Sequence, residues 1–237
     1  MLALALAAAL VPSLLLLWYF HSRDIYPEPG RVIWATFLLG IVTIPFVLIF
    51  DAAIEPLIRG IRDLYLFGLG QAFLSAAVPE ELGKFVVLTR YAGRHKEFNE
   101  PMDGVVYGVA ASLGFATLEN VLYVGGGGMG VAVTRALTAV PAHAFTGAIM
   151  GYFVGRARFS RGGSAGTWAL GLLLPILLHG LYDFPILVLR HHGEIAKGQP
   201  TPGAVSALLL LTLATLVWEG RLAVRLSRRL RAEQGPA

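Results

Sequence analysis

The fold class is decided by the stretch DGVVYGVAASLGFATLENVLYV at residues 103–124. A helix needs roughly 20 mostly apolar residues to cross the hydrocarbon core of a membrane, and this stretch has that length. Its ionisable side chains are Asp103, at the very start, and Glu119, well inside. The stretch therefore predicts a membrane-spanning helix that carries a buried carboxylate.

Apolar stretches of similar length lie on both sides of this one. They are bounded by charged, proline or glycine residues, and the run Gly125–Gly128 with Gly130 predicts a turn. Together they predict seven spans, at about 2–20, 32–50, 64–89, 103–124, 131–154, 166–189 and 203–219. We therefore expect an all-α, polytopic helix bundle in one membrane domain, 1–237, with a catalytic core at 64–189 and a basic tail at 220–237.

The composition agrees with the membrane class. Hydrophobic residues make up 56% of the chain and charged residues only 14%, and the mean hydropathy is +0.66. The absence of cysteine excludes disulfides, thiolate metal ligands and a cysteine nucleophile. The N-terminal run lacks the basic flank of a signal peptide and is longer than its apolar core, so we interpret it as a retained first span.

Basic residues predict the orientation of the bundle, because cytoplasmic loops carry an excess of Lys and Arg. With the N-terminus outside, four basic residues lie on the outer side: Arg59, Arg62, Arg190 and Lys197. Thirteen lie on the cytoplasmic side: Arg23, Arg31, Arg90, Arg94, Lys96, Arg156, Arg158, Arg161, Arg221, Arg225, Arg228, Arg229 and Arg231. We expect N-out, C-in, and this topology explains the net charge of +4 better than nucleic-acid binding does.

Ionisable residues inside spans are the best indicator of function, since each costs on the order of 3 kcal/mol on insertion scales. Spans three to six carry them, and we expect nothing comparable in spans one, two and seven. The candidate site residues are Glu80, Glu81, Lys84, Glu119, Asn120, His143, His179 and Asp183. Glu80, His143 and His179 fall near the middle of their spans and Glu119 somewhat nearer the outer side, so we expect these four to converge at one depth.

Helical spacing and prolines support one polar cavity. His179 and Asp183 are four residues apart and share a helix face, as do Glu81 and Lys84, three apart. Prolines precede Glu80, His143 and His179 by one to four residues, at positions 79, 141 and 175. A proline kinks a helix and frees a carbonyl, which is tolerated where the backbone lines a polar cavity.

The chemistry of these side chains favours a divalent metal such as zinc. Two imidazoles with carboxylates suit an open zinc site, which lowers the pKa of its water to about 7. We expect His143, His179 and Glu119 as ligands and Asp183 as a further ligand or as an orienting partner of His179.

The remaining acidic side chains receive two other roles. We expect Glu80 to be the general base for peptide hydrolysis. Glu81 is a second candidate catalytic residue, or it only pairs with Lys84 and leaves Glu80 free.

Other functions use similar residues. A proton- or ion-coupled transporter also places carboxylates and histidines inside a bundle, but it predicts interrupted helices in two related halves. This sequence concentrates its polar residues in spans three to six instead. A retinal protein needs a lysine in the last span, and residues 203–219 contain none. The Gly-x-Ser-x-Gly and His-Glu-x-x-His motifs of other hydrolases are absent.

Four motifs in order resemble the PrsW family of bacterial intramembrane proteases, distant relatives of the CAAX-type prenyl endoproteases. They are Glu80-Glu81-x-x-Lys84, Phe115-x-x-x-Glu119-Asn120, His143 with Phe145 and Gly151-Tyr152, and His179-x-x-x-Asp183.

The resemblance implies a multi-pass protease of the bacterial inner membrane. It implies site-1-type cleavage of a single-span membrane protein, typically an anti-sigma factor in a stress-signalling cascade. It further implies that Glu80 is the base and that Glu119 stands where the CAAX relatives have a metal-binding histidine. A mechanism that uses carboxylates alone is the alternative to a metal.

Overall fold

The structure is a computed structural model that describes residues 2–160, 165–195 and 198–235. Arg161, Lys197 and the last two residues of the predicted tail lie outside the described residues. Within those ranges the chain is helical and contains no strand, so the predicted all-α class is confirmed. The α-helices are α1 (Leu2–His21), α2 (Gly30–Val42), α3 (Ile44–Arg59), α4 (Leu64–Leu69), α5 (Val78–Val86), α6 (Pro101–Leu137), α7 (Ala139–Phe159), α8 (Ala165–His191) and α9 (Pro202–Glu233).

Four helical segments in the described part of the chain are long and apolar enough to cross a membrane. They are Gly30–Arg59, Pro101–Phe159, Ala165–His191 and Pro202–Glu233, and Leu10–His21 is a shorter apolar helix. The chain is therefore a multi-pass membrane protein. The count of seven spans and the N-out orientation stay predictions.

The packing core is the first half of α6, which is buried between α7 on one side and α1 and α2 on the other. A Cβ atom added to Gly104 would lie 2.3 Å from the carbonyl oxygen of Gly151, and one added to Gly108 would lie 2.4 Å from that of Gly147. Small residues allow backbones to approach this closely, which stabilises helix pairs in membranes. The glycines of α6 and α7 therefore form the contact face between these two helices.

The connection between α6 and α7 differs from the prediction. The glycine turn is confirmed, because Gly128 has φ 72° and ψ −165° and breaks the regular helix. The chain then continues helically to Leu137, and α7 begins at Ala139 instead of at 131. Pro141 explains this boundary, since its ring excludes the carbonyl of the residue four positions earlier, Leu137.

The helix with the first motif is irregular at both ends. Gly70–Ala77 and Val87–Tyr91 are π-helical and flank α5, and Ala92–Arg94 is a 3₁₀ turn. Pro79 lies just inside α5 and cannot donate a backbone hydrogen bond, which accounts for the wide turn before it. Such π-helical turns often occur at functional sites.

At the other end of the chain, α9 runs unbroken through the boundary predicted between the last span and the tail.

Candidate active site

The polar side chains of α5 form a buried ion cluster. Lys84 is 0% exposed, and its Nζ lies 2.8 Å from Glu81 Oε1 and 3.4 Å from Glu80 Oε2. It also lies 4.3 Å above the ring of Phe115. The helical spacing puts Glu81 and Lys84 on one face of α5, as expected, and Lys84 also reaches Glu80 four residues earlier. The expected pairing of Glu81 with Lys84 is confirmed, and Glu80 is the more weakly engaged carboxylate.

Helices α6 and α7 add an acid and an imidazole to this cluster. Glu119 Oε2 lies 3.0 Å from His143 Nε2, and the other ring nitrogen of His143, Nδ1, lies 3.0 Å from Lys84 Nζ. Lys84 can only donate, so Nδ1 accepts and Nε2 carries the proton donated to Glu119. His143 thus connects the carboxylate of α6 with the ion cluster of α5.

Helix α8 supplies the second imidazole and the last carboxylate. His179 Nδ1 lies 2.8 Å from Glu81 Oε1, and His179 Nε2 lies 3.1 Å from Asp183 Oδ2 and 3.8 Å from Glu80 Oε2. Gly180 lets α8 approach, because a Cβ there would lie 2.3 Å from the ring of Phe73. Asp183 is the most exposed member, with a side chain 24% exposed.

The predicted site residues therefore meet in one network. The rings of His143 and His179 are perpendicular, with centroids 5.2 Å apart. Glu80, His143 and His179 each offer a ligand atom within 4.8 Å of the others, although they come from three different helices. The convergence expected from the depth of these residues is what the structure shows.

A small cavity opens beside the histidines. Its volume is about 20 Å³, and it is lined by Glu119, Arg135, Ala139, Ala142, His143, Thr146, His179, Tyr182 and Asp183. A cavity needs roughly 10–15 Å³ to hold one water molecule. The cavity can therefore hold a water molecule next to both imidazoles and two carboxylates, those of Glu119 and Asp183.

The donor atoms fit a divalent metal. Tetrahedral zinc ligands lie at about 2.0–2.2 Å from the ion, and therefore roughly 3.4 Å from one another. The separations between Nε2 of His143 and Glu119, and between Nε2 of His179 and Asp183, are 3.0 and 3.1 Å. Imidazole nitrogens and carboxylate oxygens without thiolates are a donor set that zinc and similar ions accept.

Arg135 belongs to this site, although it is not among the residues predicted from the sequence. Its Nη2 lies 2.6 Å from Glu119 Oε2, its Nε donates to Asn120 Oδ1 at 3.1 Å, and its guanidinium lies 4.0 Å over the ring of Tyr123. The buried carboxylate of Glu119 is therefore paired with a guanidinium. The turn at Gly128 folds the chain back, so that Arg135 contacts Glu119 and Asn120 in the preceding part of α6. The glycine run was the one feature of the sequence that indicated this return.

Glu219 of α9 is also buried, and the expectation that the last span carries nothing comparable is wrong. Its side chain is 0% exposed, and neither carboxylate oxygen has a hydrogen-bond partner in the part of the chain that the structure describes. It lies within electrostatic range of His179, Glu81 and Asp183. Its place at the last residue of the predicted span made it look like an interfacial residue.

Comparisons with known proteins show which proteins the chain is similar to. The model of the PrsW family, described as intramembrane metalloproteases, matches residues 28–217. The chain is 39% identical to Protease PrsW of Bacillus subtilis over 188 residues, covering 78% of the chain and 84% of that protein. It is 37% identical to Protease PrsW of Geobacillus kaustophilus, covering 79% and 82%, and 28% identical to that of Clostridioides difficile, covering 89% and 85%. No solved structure gives a significant match.

Proposed function

Because the chain belongs to the PrsW family of intramembrane metalloproteases and is a multi-pass bacterial membrane protein, we propose that it hydrolyses a peptide bond of a single-span membrane protein within the bilayer. The observation that carries the proposal is the meeting of Glu80, His143 and His179 from three helices, with ligand atoms within 4.8 Å. Burying these groups costs free energy, and a catalytic role explains why the sequence retains them.

His143 and His179 would hold the metal through their Nε2 atoms, with Glu119 and Asp183 as the neighbouring carboxylates. Zinc is the ion we propose, and when bound it supplies Lewis acidity toward water and the substrate carbonyl. Ligation through Nε2 requires the proton of His143 to move to Nδ1. Lys84 would then be held by Glu80 and Glu81 alone, at the distances of 3.4 and 2.8 Å that it already has.

Glu80 is the general base in this proposal. Its Oε2 lies 3.8 Å from His179 Nε2 and has Lys84 as its only cationic partner among the described lysine and arginine residues. It takes a proton from the attacking water and returns it to the amide nitrogen that leaves. Lys84 stabilises the carboxylate form of Glu80 before the proton arrives, and the surrounding apolar helices exclude competing water.

Two further groups position the histidines and Glu119. Glu81 Oε1 accepts from His179 Nδ1 at 2.8 Å, which fixes the ring so that Nε2 faces Asp183 and Glu80. Arg135 holds Glu119 beside His143. Mutation of such partners of metal ligands commonly lowers metal affinity or activity by roughly 10- to 100-fold.

The proposed substrate is an anti-sigma factor or a protein of similar topology, as the family resemblance implies. The site lies inside a bundle of apolar helices, so a substrate that is itself a membrane span can reach it laterally. The cavity of about 20 Å³ has room for a water molecule but not for an extended peptide. Substrate entry therefore requires the helices around the cavity to separate.

Cleavage by the reconstituted protein tests the catalytic assignment. In liposomes with single-span substrates, Glu80→Gln should lower the cleavage rate by about 10²- to 10⁴-fold, the usual contribution of a general base. His179→Ala should lower it comparably. The matched control is Glu55→Gln, which removes an acid paired with Arg59 on the exposed face of α3 and should cleave like wild type. Wild-type rates in both site variants would refute the assignment.

Elemental analysis tests the metal independently of activity. One zinc per chain in the purified protein, absent from His143→Ala and retained in Glu55→Gln, is the expected result. Active wild-type protein without a stoichiometric metal would contradict it and favour the mechanism that uses carboxylates alone.

A further inference from the structure

A second group of buried carboxylates lies far from the active site, where α1, α6 and α9 end or begin. Asp24 follows α1, Glu100 is the N-cap of α6, and Asp103 lies in the first turn of α6. Each offers a ligand oxygen within 4.8 Å of the other two. We call these three residues the acidic cluster.

The acidic cluster is built into the fold and is not a solvated face. Asp103 is 0% exposed and Asp24 is 8% exposed. Gln234, just after α9, donates from Nε2 to both Asp24 Oδ1 and Glu100 Oε1 at 2.6 Å. Asp103 Oδ2 accepts from the backbone N–H of Glu100 at 2.8 Å. These bonds fix one oxygen of each carboxylate.

Other oxygens of the acidic cluster have no N–H or hydroxyl partner. Asp24 Oδ2 and Asp103 Oδ1 are buried and accept no hydrogen bond from an N–H or hydroxyl group within the described ranges. The carboxyl group of Glu28 lies within hydrogen-bonding reach of Asp103, and it can bond to Asp103 only when one of the two acids is protonated. A buried acceptor without a partner normally costs about 1–3 kcal/mol, and more when it is charged. The side chains of Asp24 and Asp103 are both more than nine-tenths buried. Both residues belong to the group whose ligand oxygens lie within 4.8 Å of one another.

The charges of the acidic cluster are also uncompensated. In the described part of the chain, no Lys or Arg nitrogen lies within 4.0 Å of its oxygens, and Glu28, hydrogen-bonded by Tyr107, adds a further acid beside Asp103. His21 is within electrostatic range of Asp24 but forms no ion pair with it. Burial raises the pKa of Asp24 and of Glu100, which expresses the cost of keeping these groups ionised here.

We propose that the acidic cluster binds a hard divalent cation, Mg²⁺ or Ca²⁺, through Asp24 Oδ2, Asp103 Oδ1 and a carboxylate oxygen of Glu100. Oxygen-only ligands suit these ions, whereas zinc prefers nitrogen or sulfur. The ion links the loop after α1 to the start of α6, and Gln234 attaches the end of α9 to the same carboxylates. Asp24 and Gln234 lie outside the stretch matched by the PrsW family model, whereas Glu100 and Asp103 lie inside it.

Thermal unfolding of the full-length protein in detergent, stripped with EDTA, tests this site. Mg²⁺ or Ca²⁺, added in separate arms, should raise Tm by several degrees at a concentration about 100-fold above its Kd. Asp24→Asn keeps the hydrogen bond to Gln234 but removes one charge. It should unfold at a higher Tm than wild type in EDTA, and its cation affinity should be at least about tenfold weaker.

Two controls separate this site from others. Glu97→Gln removes an acid of the same region that already pairs with Arg31 and Lys96, and it should keep the full Tm rise. His179→Ala removes a ligand of the proposed active-site metal and should also keep it, so failure of the proposed protease mechanism would not affect this test.

Three results would overturn the proposal. The first is that equilibrium dialysis shows no saturable binding of either ion. The second is that Asp24→Asn keeps the full cation-dependent rise in Tm. The third is that low pH without a cation stabilises the protein equally, which would mean that the carboxylates hold protons instead.

Discussion

The active site and the acidic cluster are two buried groups of carboxylates that share helix α6. Asp103 belongs to one and Glu119 to the other, 16 residues apart, which is about 24 Å along a helix. In the active site Glu80, Glu81, Glu119 and Asp183 each face a base, which is Lys84, Arg135 or an imidazole. Glu219 beside them is the exception, because neither of its oxygens has a hydrogen-bond partner among the described residues. In the acidic cluster the described partners are an amide side chain and backbone N–H groups.

This difference separates two ways to keep acids inside a protein. Charges of opposite sign can compensate one another in a network, and then removing one member leaves its partners unpaired at a high cost. Acids that face only neutral donors stay uncompensated, and then removing one relieves repulsion unless a cation is present. The two regions should therefore respond with opposite sign to the loss of a single charge.

The largest expected effect is at Lys84. Lys84→Met leaves Glu80 and Glu81 buried without their shared cation, and it should lower the free energy of unfolding by about 3–5 kcal/mol. Equilibrium unfolding in mixed micelles measures the change. The double variant Glu81→Gln with Lys84→Met should recover part of it.

The control for Lys84 is an ion pair of the same spacing on the surface. Arg59 pairs with Glu55 four residues earlier, with side chains 72% and 39% exposed. Arg59→Met should change the free energy of unfolding by less than about 1 kcal/mol, because exposed pairs contribute little. Equal losses in Lys84→Met and Arg59→Met would contradict the buried network.

A smaller effect is expected where α6 packs on α7 next to the acidic cluster. A Cβ atom on residue 151 would lie 2.0 Å from the backbone oxygen of Gly104, so Gly151→Ala must shift the helices apart. Overpacking of this kind costs about 1–3 kcal/mol. Gly130→Ala is the control, since a Cβ there meets nothing within 4 Å.

Gly151→Ala also tests whether the two regions are coupled through α6. The shift should disturb the contact between Glu119 and His143 as well as the helix start at Asp103. Loss of both cleavage activity and the cation-dependent Tm rise is the expected result. Loss of neither, with full stability, would contradict the close packing of α6 and α7.

The smallest expected effect is at Arg135, whose side chain is 16% exposed, like that of Glu119. Arg135→Gln should lower the free energy of unfolding by about 1–2 kcal/mol, less than a fully buried charge-assisted bond because water screens the pair. The comparison is Arg156→Gln, which breaks a more exposed pair with Glu233. A larger loss in Arg156→Gln than in Arg135→Gln would be evidence against the role of Arg135.

The residues of the proposed active site could be picked out from the sequence because they interrupt apolar spans. Glu80, His143 and His179 are conspicuous there, and the cost of burying them indicates that they face one another. Arg135 and Glu219 could not be predicted in this way, because they do not interrupt an apolar span. Both lie at the ends of predicted spans, where a charged residue is ordinary. Only the folded chain shows that Glu219 is buried and that the side chain of Arg135 is just 16% exposed.

The amino-acid sequence by itself determined the membrane class, the helical architecture and the polar residues of the active site. These follow from local rules: the length of apolar runs, the position of glycine and proline, and the spacing of polar groups on a helix. The tertiary structure decided which acids are compensated. Gln234 reaches Asp24 across 210 positions of sequence, and Arg135 returns to Glu119 across a glycine turn. Compensation of charge depends on distances of a few ångströms between side chains, and those distances exist only once the helices have packed.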